Sequence, residues 1–258
     1  MPLLLLKLTL TPLLVGGASL AARRWGPAVG GWLVSLPLTS GPILFFLALE
    51  NGEAFAADVA VGTLLGLGAI VAYCLGYAAA SARGPWVSIA AASVAYAAAG
   101  LAVGRLAGLP FALLVVLVVA AIAGALRVIP PPGSTRNEAP HPAWDLPVRI
   151  VVGTVLVLSL TAIAPLLGPV ASGIMATFPV YVSVLAVFTQ LRDGPQAATD
   201  VLRGLLTGLF GTAAFFVVLH VLLEPYGIAV AFTLAVAVSL AIAAVALRVV
   251  RAGIAASA

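Results

Sequence analysis

Long apolar runs alternate along the chain with short clusters of charged, glycine and proline residues. A helix that crosses a membrane needs about 20 mostly apolar residues, and most of the runs have roughly this length. The pattern therefore predicts an all-α polytopic membrane protein with about nine transmembrane helices. The predicted helices cover residues 3–22, 27–49, 55–80, 86–104, 109–129, 147–166, 169–191, 196–222 and 227–248.

The composition agrees with this prediction. Hydrophobic residues make up 63% of the chain and charged residues only 8%, whereas soluble domains carry about 25% charged residues. So few polar side chains would not cover a water-facing surface, which excludes a soluble enzyme, a nucleic-acid-binding protein and a disordered chain. The chain also lacks the zinc, redox and nucleotide-binding motifs of common enzymes, so we predict no enzymatic activity, no cofactor and no metal site.

The arginines predict the orientation of the chain. In the nine-helix arrangement nearly all of them fall on one side of the membrane, while Arg105 falls on the other side and Lys7 lies just inside the membrane there. Because basic residues are enriched in cytoplasmic loops, we predict an N-terminus outside and a C-terminus in the cytoplasm, in a bacterial inner membrane. The proline-rich stretch 130–146 is then a cytoplasmic linker.

An internal repeat appears at a constant offset of 142 residues. Between residues 26 and 67, about a third of the positions are identical to their partners. The matches include Gly26 with Gly168, Pro37 with Pro179, Gly52 with Gly194 and Asp58 with Asp200. Each copy has four predicted helices, which return the chain to the side of the membrane where it started. The single helix between the copies then takes the chain across, so the second copy is inverted relative to the first. The predicted organisation is a first repeat (1–108), a linking helix (109–129), the cytoplasmic linker and a second repeat (147–258).

Each copy also has an early basic residue, a glycine six residues before a proline in its second helix, a glycine turn, and small residues at the start of its third helix. In the first copy these are Lys7, Gly31 to Pro37, Gly52 and Ala56-Ala57, and in the second Arg149, Gly173 to Pro179, Gly194 and Ala197-Ala198. In these motifs each half resembles the small four-span GlpM-like membrane proteins, mostly inner-membrane proteins of unsettled activity. The resemblance implies a duplicated, inverted pair and no particular reaction.

The second helix of each copy is the predicted binding element. Pro37 and Pro179 fall near the middle of these helices, where proline frees backbone groups that lipid does not satisfy. Interrupted helices at corresponding positions of two halves indicate a substrate site near the bilayer midplane; the alternative is a kinked helix that binds nothing. The predicted substrate-binding residues are Ser35, Pro37, Thr39, Ser40, Thr177, Pro179, Tyr181 and Ser183.

Each half also carries two opposite charges about one turn inside the membrane. Lys7 and Asp58 lie near one face, and Arg149 and Asp200 lie near the other. Unpaired charges are costly in lipid, so we predict a Lys7–Asp58 pair and an Arg149–Asp200 pair. Three roles are open for these residues: structural salt bridges, gates that open alternately, or proton coupling through the aspartates.

Together these features predict a secondary transporter or facilitator that moves a small polar or anionic solute across the lipid bilayer by alternating access. A first alternative is a non-transporting structural or accessory subunit of an envelope, polysaccharide or lipid assembly. A second alternative is an embedded enzyme acting on lipid, for which the sequence offers no catalytic constellation. A monomer and a homodimer both fit the sequence.

Overall fold

The computed structural model describes residues 2–37, 40–106, 108–131, 144–163 and 178–257. Apart from short turns these residues are helical, and the described ranges contain no β-strand. The predicted all-helical class is thus confirmed. Two of the predicted binding residues, Thr39 and Thr177, lie outside the described residues.

The described residues of the first half form five α-helices. They are α1 (Pro2–Trp25), α2 (Pro27–Ser35), α3 (Ser40–Asn51), α4 (Glu53–Ala80) and α5 (Pro85–Val103). The predicted helix 27–49 is therefore two shorter helices. The interruption begins at Leu36, whose backbone is extended (φ −61°, ψ 143°), as expected for a residue that precedes a proline. Pro37 then continues the non-helical stretch.

The remaining helices are α6 (Phe111–Val128), α7 (Asp145–Ile163) and α8 (Val180–Ser257). Helix α8 contains non-helical backbone at Gly194 and Gly227. We call its three segments α8a (180–193), α8b (195–226) and α8c (228–257). Helix α7 begins two residues before the predicted limit, so Asp145 belongs to a helix and not to the linker.

Glycine turns divide the two halves at matching places. Gly52 (φ 91°, ψ 166°) and Gly194 (φ 89°, ψ 178°) are related by the 142-residue offset and have nearly the same backbone angles. Gly84 (φ 96°, ψ 163°) and Gly227 (φ 77°, ψ 169°) match in the same way at an offset one residue longer. This backbone region is strained for residues with a Cβ atom, so glycine sets the helix ends at these positions.

Four helical stretches in the described part of the chain are long and apolar enough to cross a membrane. They are Glu53–Arg83, Pro85–Leu106, Phe111–Val128 and Val180–Arg248. The last stretch includes the turns at Gly194 and Gly227 and so contains parts of three helical segments. The chain is accordingly a helical membrane protein.

Helices α1 and α7, the first helix of each half, pack antiparallel. Arg23 near the end of α1 contacts Asp145 at the start of α7, with Nη2 and Oδ2 2.6 Å apart. Further along, a Cβ atom added at Gly153 of α7 would lie 3.0 Å from Val15 Cγ2 of α1. Earlier positions on one helix therefore meet later positions on the other.

Helices α4 and α8b, which correspond to the third predicted helix of each half, are also antiparallel. The carbonyl oxygen of Ala57, near the start of α4, lies 3.1 Å from His220 Nδ1, near the end of α8b. A Cβ atom added at Gly227, just after α8b, would lie 3.4 Å from Oε1 of Glu53, the first residue of α4. Both pairs of corresponding helices thus run in opposite directions.

Contacts between helix ends bring most of the described arginines to one end of the bundle. Arg203 donates to the Leu126 carbonyl at the end of α6, and Gln190 donates to the Ser81 carbonyl at the end of α4. We call this the arginine end, and it carries Arg23, Arg83, Arg127, Arg149, Arg192, Arg203 and Arg248. Ala57 and His220 lie toward the opposite end.

Candidate functional site

The break between α2 and α3 is held by the second half of the chain. The Ser35 carbonyl accepts a hydrogen bond from the Thr212 hydroxyl of α8b. The Ser35 hydroxyl donates to the Trp32 carbonyl at 2.5 Å, and Ser35 is buried. The last carbonyl groups of a helix lack intrahelical donors, so Thr212 supplies one that lipid does not offer.

Helices α2 and α8b approach each other at backbone distance beside this break. A Cβ atom added at Gly31 would overlap the Val201 carbonyl oxygen. One added at Gly204 would overlap the Ala28 carbonyl oxygen, and Gly208 is equally confined. Only glycine permits so close an approach, and small residues serve this purpose in membrane helices.

The non-helical residues Phe178 and Pro179 directly precede α8a, and we call them the second break because the sequence predicts a helix through this position. They lie against helices of the first half. The Phe178 ring packs edge-on against Tyr73 and Tyr96, with ring centroids 5.8 Å and 5.4 Å apart. Ser183 Oγ donates to the Pro179 carbonyl at 2.8 Å. The same oxygen lies 2.8 Å from the Tyr73 hydroxyl, from which it accepts a hydrogen bond.

Buried polar contacts continue from this break toward the arginine end. Tyr77 donates to Gln190 Oε1 at 2.7 Å, and Gln190 Nε2 donates to the Ser81 carbonyl at 2.7 Å. Tyr73 and Tyr77 are fully buried. We call Tyr73, Tyr77, Ser183 and Gln190 the polar seam. In these contacts the later residue of α4 meets the later residue of α8a, so the two helices run parallel.

The positions related to the polar seam by the 142-residue offset are all apolar. They are Phe215, Leu219, Gly41 and Ala48, and we call them the apolar seam. A Cβ atom added at Gly41 would lie 3.3 Å from Phe215 Cζ, so this contact is the counterpart of Tyr73 with Ser183. Matching positions therefore meet in both halves, but only one of the two contacts is a hydrogen bond.

A buried charge cluster joins α1 to α7 at the arginine end. Asp145 Oδ2 accepts hydrogen bonds from Arg149 Nε at 3.1 Å and from Arg23 Nη2 at 2.6 Å. Arg149 also lies over the Phe188 ring, 5.2 Å from its centroid. Burial alone would raise the pKa of Asp145, but Arg149 and Arg23 outweigh it and hold that pKa below its ordinary value. The carboxylate is therefore ionised at neutral pH.

The two predicted charge pairs stay predictions. Asp200 is buried and accepts a hydrogen bond from Gln196 Nε2 at 3.1 Å. Asp58 is exposed on α4, and the side chain of Lys7 lies outside the described residues. Asp145 was not predicted as a partner of Arg149, although their spacing of four residues on one helix was a usable signal.

The structure brings two of the predicted binding residues, Ser35 and Ser183, into hydrogen bonds with the opposite half. The other described members lie beside the two breaks and are Pro37, Ser40, Pro179 and Tyr181. Gln190 and Thr212 were not predicted as partners of this site. Each is a polar residue within a mostly apolar helix, the kind of intramembrane residue that commonly marks function.

A cavity of about 700 Å³ lies elsewhere, between α6, α8b and α8c. None of its lining residues belongs to the predicted binding set. Within the described ranges, no group of three or more histidine, cysteine, aspartate or glutamate residues is placed to hold a metal ion.

Comparison of the chain with protein-family models, with curated proteins and with solved structures gives no match. The GlpM-like resemblance therefore rests on the short motifs alone.

Proposed function

We propose that the chain is a secondary transporter or facilitator of a small polar or anionic solute, with nine spans arranged as two inverted repeats. The observation that carries the proposal is the antiparallel packing of corresponding helices, α1 with α7 and α4 with α8b. Repeats related by an axis along the membrane normal have parallel corresponding helices, whereas an axis in the membrane plane makes them antiparallel. Many secondary transporters have the second design, with the substrate site between the halves.

The depth of the two breaks supports a site between them. Along α8b, Thr212 at the first break is eight residues from His220, or ~12 Å at the helical rise. Along α4, Tyr73 at the second break is 16 residues from Ala57, or ~24 Å. Ala57 and His220 are in contact and lie near the ends of two proposed spans. Both distances are shorter than a hydrocarbon core of about 30 Å, which supports two breaks at membrane depth. Thr39 and Thr177 remain part of this proposed site.

The polar seam supports a solute route from the site toward the arginine end. Polar side chains inside a membrane protein commonly mark such routes, and the hydroxyl and amide groups of Tyr77 and Gln190 are able to exchange their mutual bond for bonds to a solute. The seam contains no carboxylate, which favours a neutral or anionic solute over a metal cation. In alternating access, the helices around the apolar seam would separate to open the opposite end.

We place the arginine end in the cytoplasm of a bacterial cell, because basic residues favour that side of the inner membrane. The N-terminus is then outside and the C-terminus inside. The GlpM-like resemblance agrees with a duplicated inner-membrane protein of this kind.

A non-transporting accessory subunit is the second candidate. The close backbone contact between Gly204 and Ala28 favours it, since such a contact holds two halves rigidly together. In this case the polar seam would only fix the packing of α4 against α8a.

Solute flux into proteoliposomes distinguishes the two candidates. The purified chain is reconstituted, and flux is measured for a panel of small neutral polyols, organic acids and inorganic anions. We expect flux of at least one solute. Gln190→Leu should reduce it at least about tenfold, equivalent to ~1.4 kcal/mol in a barrier. Leu219→Met, a conservative change in the apolar seam, should leave it nearly unchanged.

Absence of flux for every solute would contradict the transporter proposal. A stoichiometric partner protein retained in mild detergent would then support the accessory subunit. Equal losses of flux in Gln190→Leu and Leu219→Met would contradict the proposed route through the polar seam.

A further inference from the structure

The cavity between α6, α8b and α8c is almost entirely apolar. Its walls include Val119 of α6, Phe210 and Ala214 of α8b, and Val245 of α8c. Its volume of about 700 Å³ lies within the range of about 300–1,000 Å³ found for ligand pockets. An apolar cavity of this size in a membrane protein suits a hydrocarbon chain better than a polar solute.

Two walls of the cavity include residues that are exposed at the surface of the helix bundle. Val119 of α6 is 39% exposed and Val245 of α8c is 60% exposed. In a membrane, the exposed apolar surface of α6 and α8c contacts the acyl chains of lipids. A lipid chain therefore has direct access to the cavity without crossing water.

One end of the cavity carries a guanidinium group. Arg203 lines the cavity, and its Nη1 donates to the carbonyl of Leu126 at 2.7 Å and to the carbonyl of Ile129. Its hydrogen bonds to described residues all come from Nη1, including a longer contact with the Pro130 carbonyl at 3.4 Å. The group is thus fixed in place by one nitrogen, while Nε and Nη2 donate to no described residue.

The surrounding charge favours an anion. Arg127 follows the lining residue Leu126 on α6, and Arg248 lies two residues beyond the lining residue Ala246 on α8c. Both arginines are exposed at the arginine end. Asp200 is the opposing charge, and it attracts Arg203. Within the described part of the chain, three arginines and one aspartate therefore lie at or near the lining residues of this end and give it a net positive charge. Basic pockets between membrane helices bind anionic headgroups.

We propose that this cavity binds an anionic phospholipid, with one acyl chain between α6, α8b and α8c and the phosphate at Arg203. Ala28 and Gly204, which form the close contact between the two halves, also line the cavity. The bound chain therefore packs beside this contact and stabilises it. The proposal does not depend on transport, because an accessory subunit would use the same lipid.

Native mass spectrometry of the purified chain tests the proposal. The protein in mild detergent is mixed with phosphatidylglycerol or with phosphatidylcholine of the same acyl chains, and the bound fraction is measured. We expect a preference for phosphatidylglycerol. Arg203→Gln should reduce its affinity about fivefold, as expected for one basic group worth ~1 kcal/mol. Arg105→Gln, a control at the opposite end, should have no effect.

A second variant keeps the test decisive if Arg203→Gln does not fold, since Arg203 also holds the end of α6. Ala214→Phe places a ring in the cavity and leaves the arginines in place, so it should reduce the binding of phosphatidylglycerol. Inorganic phosphate should not compete with the lipid at matched concentrations. Equal binding of the two phospholipids by the unmodified chain, or undiminished binding by Ala214→Phe, would overturn the proposal.

Discussion

The polar seam and the apolar seam occupy corresponding positions in the two halves but differ in chemistry. In the polar seam, Tyr73 and Tyr77 hydrogen-bond to Ser183 and Gln190 of the opposite half. In the apolar seam, the counterpart contact joins a phenylalanine ring to a glycine, Phe215 to Gly41. Corresponding positions thus meet in both halves, but the side chains at those positions differ.

This difference has consequences for any motion of the halves. Separating the polar seam exposes hydroxyl and amide groups, which water or a polar solute is able to satisfy. Separating the apolar seam exposes hydrocarbon, which is unfavourable in water. We therefore expect the arginine end, toward which the polar seam runs, to admit water more readily than the opposite end. In a transporter of this design, opening toward the arginine end would cost less free energy than opening toward the other end.

The largest predicted effect concerns two glycines related by the repeat. At Gly204 an added Cβ atom overlaps the Ala28 carbonyl, whereas at Gly62 it meets nothing within 4 Å. Gly204→Ala should lower stability by ~3 kcal/mol or more, because overpacking against backbone is costly. Gly62→Ala should be neutral or raise stability by ~0.5–1 kcal/mol through its helix propensity. The measurement is the unfolding midpoint in detergent, and equal effects would show that the halves pack equivalently.

A smaller effect is predicted for the amide in the polar seam. Gln190→Leu removes the acceptor of the buried Tyr77 hydroxyl, and an unsatisfied buried polar group costs ~1–3 kcal/mol. Adding Tyr77→Phe removes that hydroxyl and should recover part of the loss. A double-mutant cycle of unfolding free energies measures the coupling. Strictly additive effects would mean that the Tyr77–Gln190 bond contributes nothing.

The smallest effects are predicted for substitutions that give a position in one seam the residue found at the corresponding position of the other seam. Tyr73→Phe removes one hydroxyl, yet Ser183 keeps its bond to the Pro179 carbonyl, so the loss should be near the ~0.6 kcal/mol average for such bonds in membrane proteins. Phe215→Tyr places a hydroxyl beside Gly41 and should cost at least as much. If thermal unfolding shows Phe215→Tyr to be stabilising, the apolar seam contains an acceptor that the structure does not indicate.

The helix ends were largely predictable because their signals are local. Gly52, Gly84 and Gly194 adopt backbone angles that only glycine takes without strain. Pro37 interrupts its helix because proline has no backbone N–H group and its ring clashes with the preceding turn. The helix class and most limits follow from apolar run length together with these residues. The start of α7 was placed late, because Asp145 was grouped with the polar linker before it.

The contacts of the site were less predictable because they join residues far apart in the chain. Tyr73 meets Ser183, and Ser35 meets Thr212, through the packing of helices from opposite halves. No local pattern specifies that choice of partner. The repeat offers a partial guide: once one contact is known, the 142-residue offset identifies its counterpart, as with Gly41 and Phe215.

The central claim is that the two halves are inverted, and labelling of single cysteines tests it most directly. Cys74 is replaced by alanine, and a cysteine is introduced at Ala54 or at Pro195, exposed positions that follow the turns at Gly52 and Gly194. The glycines themselves are avoided because of their positive φ. With a membrane-impermeant reagent, the inverted arrangement predicts labelling of the Ala54 position in intact cells and of the Pro195 position only after permeabilisation. Labelling of both positions from the same side would contradict it.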